Sequence, residues 1–383
     1  MRLASVCSLF ALTAAAACTQ LDSGPDPTGG KVCTSGRVIA GDPRSSSSDT
    51  TWDPAGHPAR AEPPMHFGNL ARRGDVVLTS TGRSIWRIDL AAAAPTFVRV
   101  AGDDGGDTVF HPTGPCAGVR FFAAEGLAWL DDGRLIVGDD WANAVIELSD
   151  PLSPACTARV IAGTARDLTT SDNTPGHVYM PGDVDGPGAG ARFAAPDDAI
   201  AGAGGDVYVW DRGNRKIKRI AGDAARTVST AFALGDALDT VTALAFVDGA
   251  LYAGGINFDG TRVIRIDPAT GTSAPVVNAA DVEGPGEARP IAITGDGADL
   301  VVYAAGGFVY RVGAGGAITR VAGFGDRNTD LTDADYAGDI PAMDVPLHFV
   351  DGFVGGGNLV MQGGHLLVPS FDAGWGLWDF TCE

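Results

Sequence analysis

Six histidines, one short Asp-Gly loop and several acidic connections are where this 383-residue chain could do chemistry. The histidines are His57, His66, His111, His177, His348 and His365. Two imidazoles near one another can bind zinc or act as a general base close to neutral pH. His66 and His348 invite that reading because each opens a similar stretch of chain, although a polar side chain packed at the start of a strand is the simpler assignment. Gly182-Asp183-Val-Asp185-Gly186 begins like a calcium loop. It lacks the further Asp or Asn and the terminal Glu that a full oxygen cage needs, so it reads as turn chemistry. The acidic connections include Asp103-Asp104-Gly-Gly-Asp107 and the set Asp326, Asp330, Asp333, Asp335 and Asp339. Such a surface suits a cationic or amine-bearing partner, or a divalent cation such as calcium or zinc. It also serves simply to keep an exported protein soluble. No Gly-x-Ser-x-Gly elbow, phosphate loop or His-Glu-x-x-His motif occurs, and no catalytic, cofactor-binding or metal-binding residue is assigned.

The composition narrows the classes. Asp and Glu number 47 against 27 Lys and Arg, a formal charge of -20, which argues against a nucleic-acid partner. Hydrophobic residues reach 45%, too many for a disordered polyacid. Residues 1–17 read as a signal peptide: Met1-Arg2, then a run of apolar or small residues too short to span a bilayer. Ala14-Ala15-Ala16-Ala17-Cys18, followed by a polar Gly/Pro stretch, resembles the lipobox of bacterial lipoproteins, with Ala15 where that family prefers Leu. The resemblance implies a lipid on Cys18, a flexible tether over 18–32 and export to the bacterial cell envelope. By the same sorting rules Thr19 favours the outer membrane. Cysteine counting agrees. Of Cys7, Cys18, Cys33, Cys116, Cys156 and Cys382, the first leaves with the signal and the second takes lipid, so four remain for two disulfides in an oxidising compartment.

Elements that could position any site follow from a repeat. Arg37-Val-Ile-Ala-Gly41 returns as Arg99-Val-Ala-Gly102, Arg159-Val-Ile-Ala-Gly163, Arg219-Ile-Ala-Gly222 and Arg320-Val-Ala-Gly323, with a degenerate copy at Ala274-Pro-Val-Val-Asn278. Between copies lie short alternating strands separated by Gly, Asp and Asn turns, which is hairpin grammar. The clearest block runs from Ala191-Arg-Phe through Gly205-Asp-Val-Tyr-Val-Trp-Asp211 to Gly213-Asn-Arg-Lys-Ile217. It resembles the NHL repeat, and weaker copies bring the number of units to six. His66 and His348 fall at the repeat position of Arg120 and Arg192. The implied fold is all-β: a six-bladed β-propeller of four-stranded antiparallel blades over residues 33–383.

That resemblance predicts how the ring closes. The last unit ends at Cys382 after three strands, while a spare Arg-Val-Ile-Ala-Gly strand sits at residues 33–41. Residues 33–41 should form the outer strand of the last blade, with Cys33 disulfide-bonded to Cys382, which leaves Cys116 to Cys156. Trp86, Trp129, Trp210 and Trp378 should fill the seams between blades. The long crossovers (42–65, 103–119, 164–190 and 325–347) should gather on one face around the channel mouth. Related propellers hold zinc through histidines, or calcium through Glu and Asn of several blades, but neither pattern is found in the inner strands as read from Gly126 and Ala199 onward. The resulting expectation is a non-enzymatic, monomeric lipoprotein that binds a protein or envelope component through its acidic crossover face. The alternative is a lyase or lactonase-like hydrolase with a divalent metal at the channel mouth. Radiolabelled palmitate should enter the wild-type protein in cells and be absent from Cys18→Ala; label retained by the variant would reject the anchor.

Overall fold

The computed structural model describes residues 32–41, 57–58, 69–92, 96–103, 110–163, 181–257, 260–282, 290–304, 306–323, 339–345, 347, 359–371 and 375–383. The signal segment, Cys18, His66, His177, His348 and most of the acidic crossover residues lie outside that set. Six antiparallel sheets form the six blades of a β-propeller. Listed from the channel outward, blade 1 is Leu70–Arg73, Val76–Ser80, Ser84–Asp89 and Thr96–Gly102. Blade 2 is Ala124–Trp129, Leu135–Asp139, Ala144–Leu148 and Thr157–Gly163. Blade 3 is Pro196–Ala201, Val207–Asp211, Lys216–Ile220 and Val228–Ala233. Blades 4 and 5 repeat the meander from Thr240–Val247 to Thr272–Asn278 and from Pro290–Asp296 to Ile318–Ala322. Blade 6 is Val360–Gln362, His365–Phe371, Trp375–Cys382 and, as expected, Cys33–Gly41.

The middle strands are sandwiched between neighbouring blades, so both of their faces are covered. Every residue of Leu135–Asp139, Ala144–Leu148 and Val207–Asp211 is buried, and the sequence there is a continuous apolar run rather than a strict alternation. The core is accordingly six apolar clusters, one at each seam between blades. Trp86 lies in the seam between blades 6 and 1, Trp210 between 3 and 4, and Trp378 between 5 and 6, each 1% exposed. Trp129 packs against the seam between blades 1 and 2 but is only half-buried; it also lies beside the channel and carries the blade 1 Arg73 guanidinium 5.7 Å from its ring centre.

Closure follows the predicted register. Cys33 pairs with Cys382, Gly36 with Phe380 and Val38 with Trp378. Val32 and Glu383 exchange two backbone hydrogen bonds of 2.8 and 2.9 Å just beyond the pair. Both disulfides form as expected, Cys33–Cys382 and Cys116–Cys156. Two features of the repeat differ from the sequence reading. Arg219-Ile-Ala-Gly222 is not an outer strand: it ends the third strand of blade 3, and the outer strand is Val228-Ser-Thr-Ala-Phe-Ala233. The crossovers also do more than crown one face. Short pieces of them, His57–Pro58, Gly114–Pro115 and Ile340–Pro341, run down the outer edge of blades 1, 2 and 6 as a fifth strand. In blade 3, Gly186 makes a single bridge to Val228 in the same place. These straps cover the exposed edge of the outer strand in those four blades.

The motif glycine has a local cause. Gly102, Gly163 and Gly323 end their outer strands at φ near +87°, +85° and +88°. A Cβ there would stand 2.1–2.4 Å from a carbonyl oxygen of the adjoining strand. On the chain-entropy account a cross-link over 349 residues stabilises by about 5–6 kcal/mol, and one over 40 residues by about 4 kcal/mol. Cys33→Ala/Cys382→Ala should therefore lower the denaturant midpoint more than Cys116→Ala/Cys156→Ala does. Equal effects, measured by equilibrium unfolding, would contradict a ring held at its closing blade.

Candidate functional site at the channel mouth

Antiparallel meanders put three features at one end of the ring: the start of each inner strand, the turn between second and third strands, and the arriving crossovers. Farther along, the inner strands line a channel of about 230 Å³, with Leu70, Leu127, Ile200, Leu244 and Ile293 on its walls beside Arg72. Nothing in that lining resembles a reaction centre. The mouth above it is different.

In blades 2 and 3 the inner strand begins with a β-bulge. Ala124 pairs with Asp139 and Gly126 with Gly138, so Glu125 is the extra residue. Pro196 pairs with Asp211 and Ala199 with Val209, which puts Asp197 in the corresponding place. The two strands approach closely. A Cβ on Gly126 would lie 2.6 Å from the Asp197 carbonyl oxygen, and one on Gly138 2.9 Å from it. Glycine at both positions lets the carboxylates of Glu125 and Asp197 share one mouth. The adjacent turns add Asp140 and Arg212, whose Nη2 donates to Asp140 Oδ2 at 2.5 Å. Arg212 Nε lies 3.5 Å from Asp197 Oδ2 without forming a hydrogen bond. Trp141 stands on the same turn as Asp140 and is 58% exposed.

The remaining acids around this mouth have structural partners. Asp139 ends the second strand of blade 2 and accepts from the backbone N–H groups of Phe122, Ala123 and Ala142. Asp211, its counterpart in blade 3, accepts from Ala194 N and Asn214 Nδ2. Asp198 accepts from Leu244 N of blade 4 at 2.8 Å. Each pins the lead-in to an inner strand or ties it to a neighbour.

Several described acids of the crossovers are likewise neutralised within the molecule. Asp103 pairs with Arg120 at 2.9 Å and Arg99 at 3.3 Å. In the calcium-like loop, Asp183 faces Lys216 and Lys218, and Asp185 faces Lys218 at 3.4 Å. Lys218 is fully buried; it donates to Arg192 O and lies 5.2 Å from the Phe193 ring centre. Two ammonium groups thus stand where that loop would take a cation. Of the histidines, His365 Nδ1 lies 2.9 Å from Asp379 Oδ1, and His111 exchanges backbone hydrogen bonds with Arg120. The structure does not bring these two together. Among the described residues, no group of three or more His, Cys, Asp or Glu is arranged to hold a metal ion, and no helix is long and apolar enough to cross a membrane.

No family model and no curated protein matches this chain. Solved structures do. A protein of unknown function from Bacteroides thetaiotaomicron superposes with a TM-score of 0.60 at 12% identity, over 92% of this chain and 77% of that one. An auxiliary nutrient binding protein from Bacteroides ovatus gives 0.56 at 10%, again over 92% and 77%. A gluconolactonase from Xanthomonas campestris gives 0.51 at 14%, over 83% and 87%. At these identities the likeness is one of fold: this chain shares the propeller and not, on that ground, any activity.

Electrostatics at the mouth follow from burial. Burial, with the neighbouring carboxylates Asp140 and Asp139, pushes the Glu125 carboxyl up. Burial and the nearby Glu125 push Asp197 well above the usual carboxylate range. Burial lifts Asp139 to about 6 against its three backbone donors, and lifts Asp211 to about 6 as well. These folded-state acids hold protons that the unfolded chain has released, so their contribution to stability is full below an unfolded value of about 4 and fades as pH rises through about 6. Asp132 and Asp183 are pulled down by hydrogen bonds from Arg134 and Lys216, so their contribution fades in the opposite direction, as pH falls below about 4. The melting temperature should therefore peak between about pH 4 and about pH 6. Glu125→Gln/Asp197→Asn should flatten the decline toward neutral pH; a double variant with an unchanged profile in scanning fluorimetry would contradict the assignment.

Proposed function

We propose that this protein is an exported, lipid-anchored envelope propeller that binds a protein or envelope-associated partner through the face bearing the crossovers and the channel mouth. The observation that carries the reading is the mouth at blades 2 and 3. There an exposed Trp141 adjoins Glu125, Asp140 and Asp197, with Arg212 as the counter-charge close to them among the described residues. An exposed aromatic beside desolvated charge is the composition of a binding hot spot rather than of a solvated loop. The two disulfides fit an oxidising compartment. The first strand of the ring begins at Cys33, at the end of blade 6 away from the crossovers.

The alternative, a lyase or lactonase-like hydrolase with a divalent metal, has its structural foothold in the same Glu125 and Asp197 pair. Stoichiometric calcium or zinc in the purified, untagged ectodomain would favour it. Partner binding is tested by photo-crosslinking in cells with a photoreactive residue at position 141 or at position 152. Leu152 is 39% exposed and lies in the turn between the third and outer strands of blade 2, at the other end of the ring. Adducts should form from position 141 and be absent from position 152. Equal yields, or none from position 141, would overturn the reading.

A further inference from the structure

We infer that the mouth at blades 2 and 3 is a binding site for an organic cation with N–H donors, an alkylammonium or guanidinium group held between Glu125 and Asp197; this rests on the partner-binding reading above. Three observations carry it. Asp197 is 7% exposed, yet its carboxylate accepts no hydrogen bond, and its oxygens are not among the sealed atoms lacking a partner. A carboxylate that is nine-tenths buried and still open at its oxygens is aimed into the mouth. Charge gives the sign of the ligand: Glu125, Asp140 and Asp197 gather around a single guanidinium, Arg212, which is already engaged with Asp140. Ionising a buried carboxyl whose nearest cation stands 3.5 Å away without a hydrogen bond is costly, and a donor-rich cation would lower that cost. Trp141, on the adjoining turn, offers an exposed ring for the ligand's cation or its alkyl stem.

Geometry favours an organic cation over a bare metal ion. Among the described residues no metal-holding group of side chains is found, and the two bulge carboxylates come from rigid strands of neighbouring blades. An ammonium, with three tetrahedrally directed donors, or a planar guanidinium needs only two or three acceptors, and carboxylates on adjacent strands supply them. Binding also has a proton signature. The groups facing the pair are Asp139, Asp140, Asp198 and Arg212. Within that set burial holds the two carboxyls protonated to higher pH than usual, and a bound cation would reverse this. Protons should be released on binding, and affinity should rise as pH is raised above the ordinary carboxylate range.

The test is isothermal titration of the intact, disulfide-bonded ectodomain with agmatine, which carries both cationic groups, and with the capped tripeptide acetyl-Gly-Arg-Gly-amide. Saturable binding of either supports the site; the tighter of the two tells a free amine from a side chain of a protein partner. Glu125→Gln and Asp197→Asn, each checked for native circular dichroism, should weaken binding by about tenfold or more. Asp131→Asn, on an exposed turn at the other end of the ring, should leave it unchanged. Tetramethylammonium, which has no N–H, should bind more weakly than agmatine. No saturable binding, equal binding by the variants, or calcium chloride displacing agmatine would each overturn the inference. If agmatine fails while crosslinking from position 141 persists, the ligand class falls and the partner-binding face stands; if that crosslinking fails, the face falls first.

Discussion

The antiparallel pairing of Cys33–Gly41 with Trp375–Cys382 is the contact on which the ring depends. Each blade is stable because its two faces are covered by its neighbours, so a ring of six seams has no spare blade. Without the N-terminal strand, blade 6 would end in an open edge, a row of unsatisfied N–H and C=O groups. The seam to blade 1 would also lose Ala40, which packs there with Leu377, Leu70 and Trp86. The pairing joins residues nearly the whole chain apart, the costliest kind of contact to form, because loop closure precedes any reward. A disulfide at the far end of this strand, and a fifth strand from Ile340–Pro341 along its outer side, both act on that one weak point.

Much of this was legible because it depends on short-range grammar. Apolar runs broken by Gly, Asp and Asn specify hairpins, and the glycine closing each Arg-Val-Ile-Ala-Gly copy marks a backbone position that other residues fit badly. The motif misled only in blade 3. There Arg219-Ile-Ala-Gly222 lies in a third strand, and the outer strand, Val228–Ala233, has a different sequence. The two-residue straps were not legible at all. Each is too short to show a period, and each contains proline, which argues against a strand unless the strand is at an edge. The mouth was missed for a related reason. Glu125 and Asp197 stand just before Gly126 and Ala199, where the apolar inner-strand pattern begins. A bulge puts them at the channel, and nothing in a period-two pattern announces a bulge.

The net charge of -20 describes individual acids poorly as binding groups, since many of the 47 are paired locally with the 27 cations. Glu147 shows how complete the cancellation can be. It is 3% exposed and meets Arg134, Arg159 and Arg226 at 2.5, 2.7 and 2.5 Å, the last reaching across from blade 3. Lys218 does the converse, one buried ammonium among Asp183, Asp185 and Asp211. Both networks staple blade to blade or crossover to blade, and their charges are saturated by partners within the fold. Glu125 and Asp197 belong to the same pair of blades and lack that saturation. The contrast, rather than acidity as such, separates them from the structural acids around them.

Why these two positions carry the unsatisfied charge follows from the sheet. The channel wall below them is backbone edge and mostly apolar side chain, where a carboxylate would be expensive. The outer strands, strapped in four blades, face away from the axis. A bulge at the start of an inner strand is the one place where a side chain can leave the alternating pattern, point to the axis and remain fixed by ladder hydrogen bonds on either side. Asp139 and Asp211 then hold the lead-in segments by their backbone N–H groups, so the bulges are braced from behind. Rigid strands position a polar pair more closely than loops do. Propellers that superpose on this one at 10–14% identity share the ring alone. Binding chemistry in such a ring is therefore decided at very few positions, and here two of them are acids whose carboxyls accept no hydrogen bond, Asp197 having only the Arg212 guanidinium at 3.5 Å.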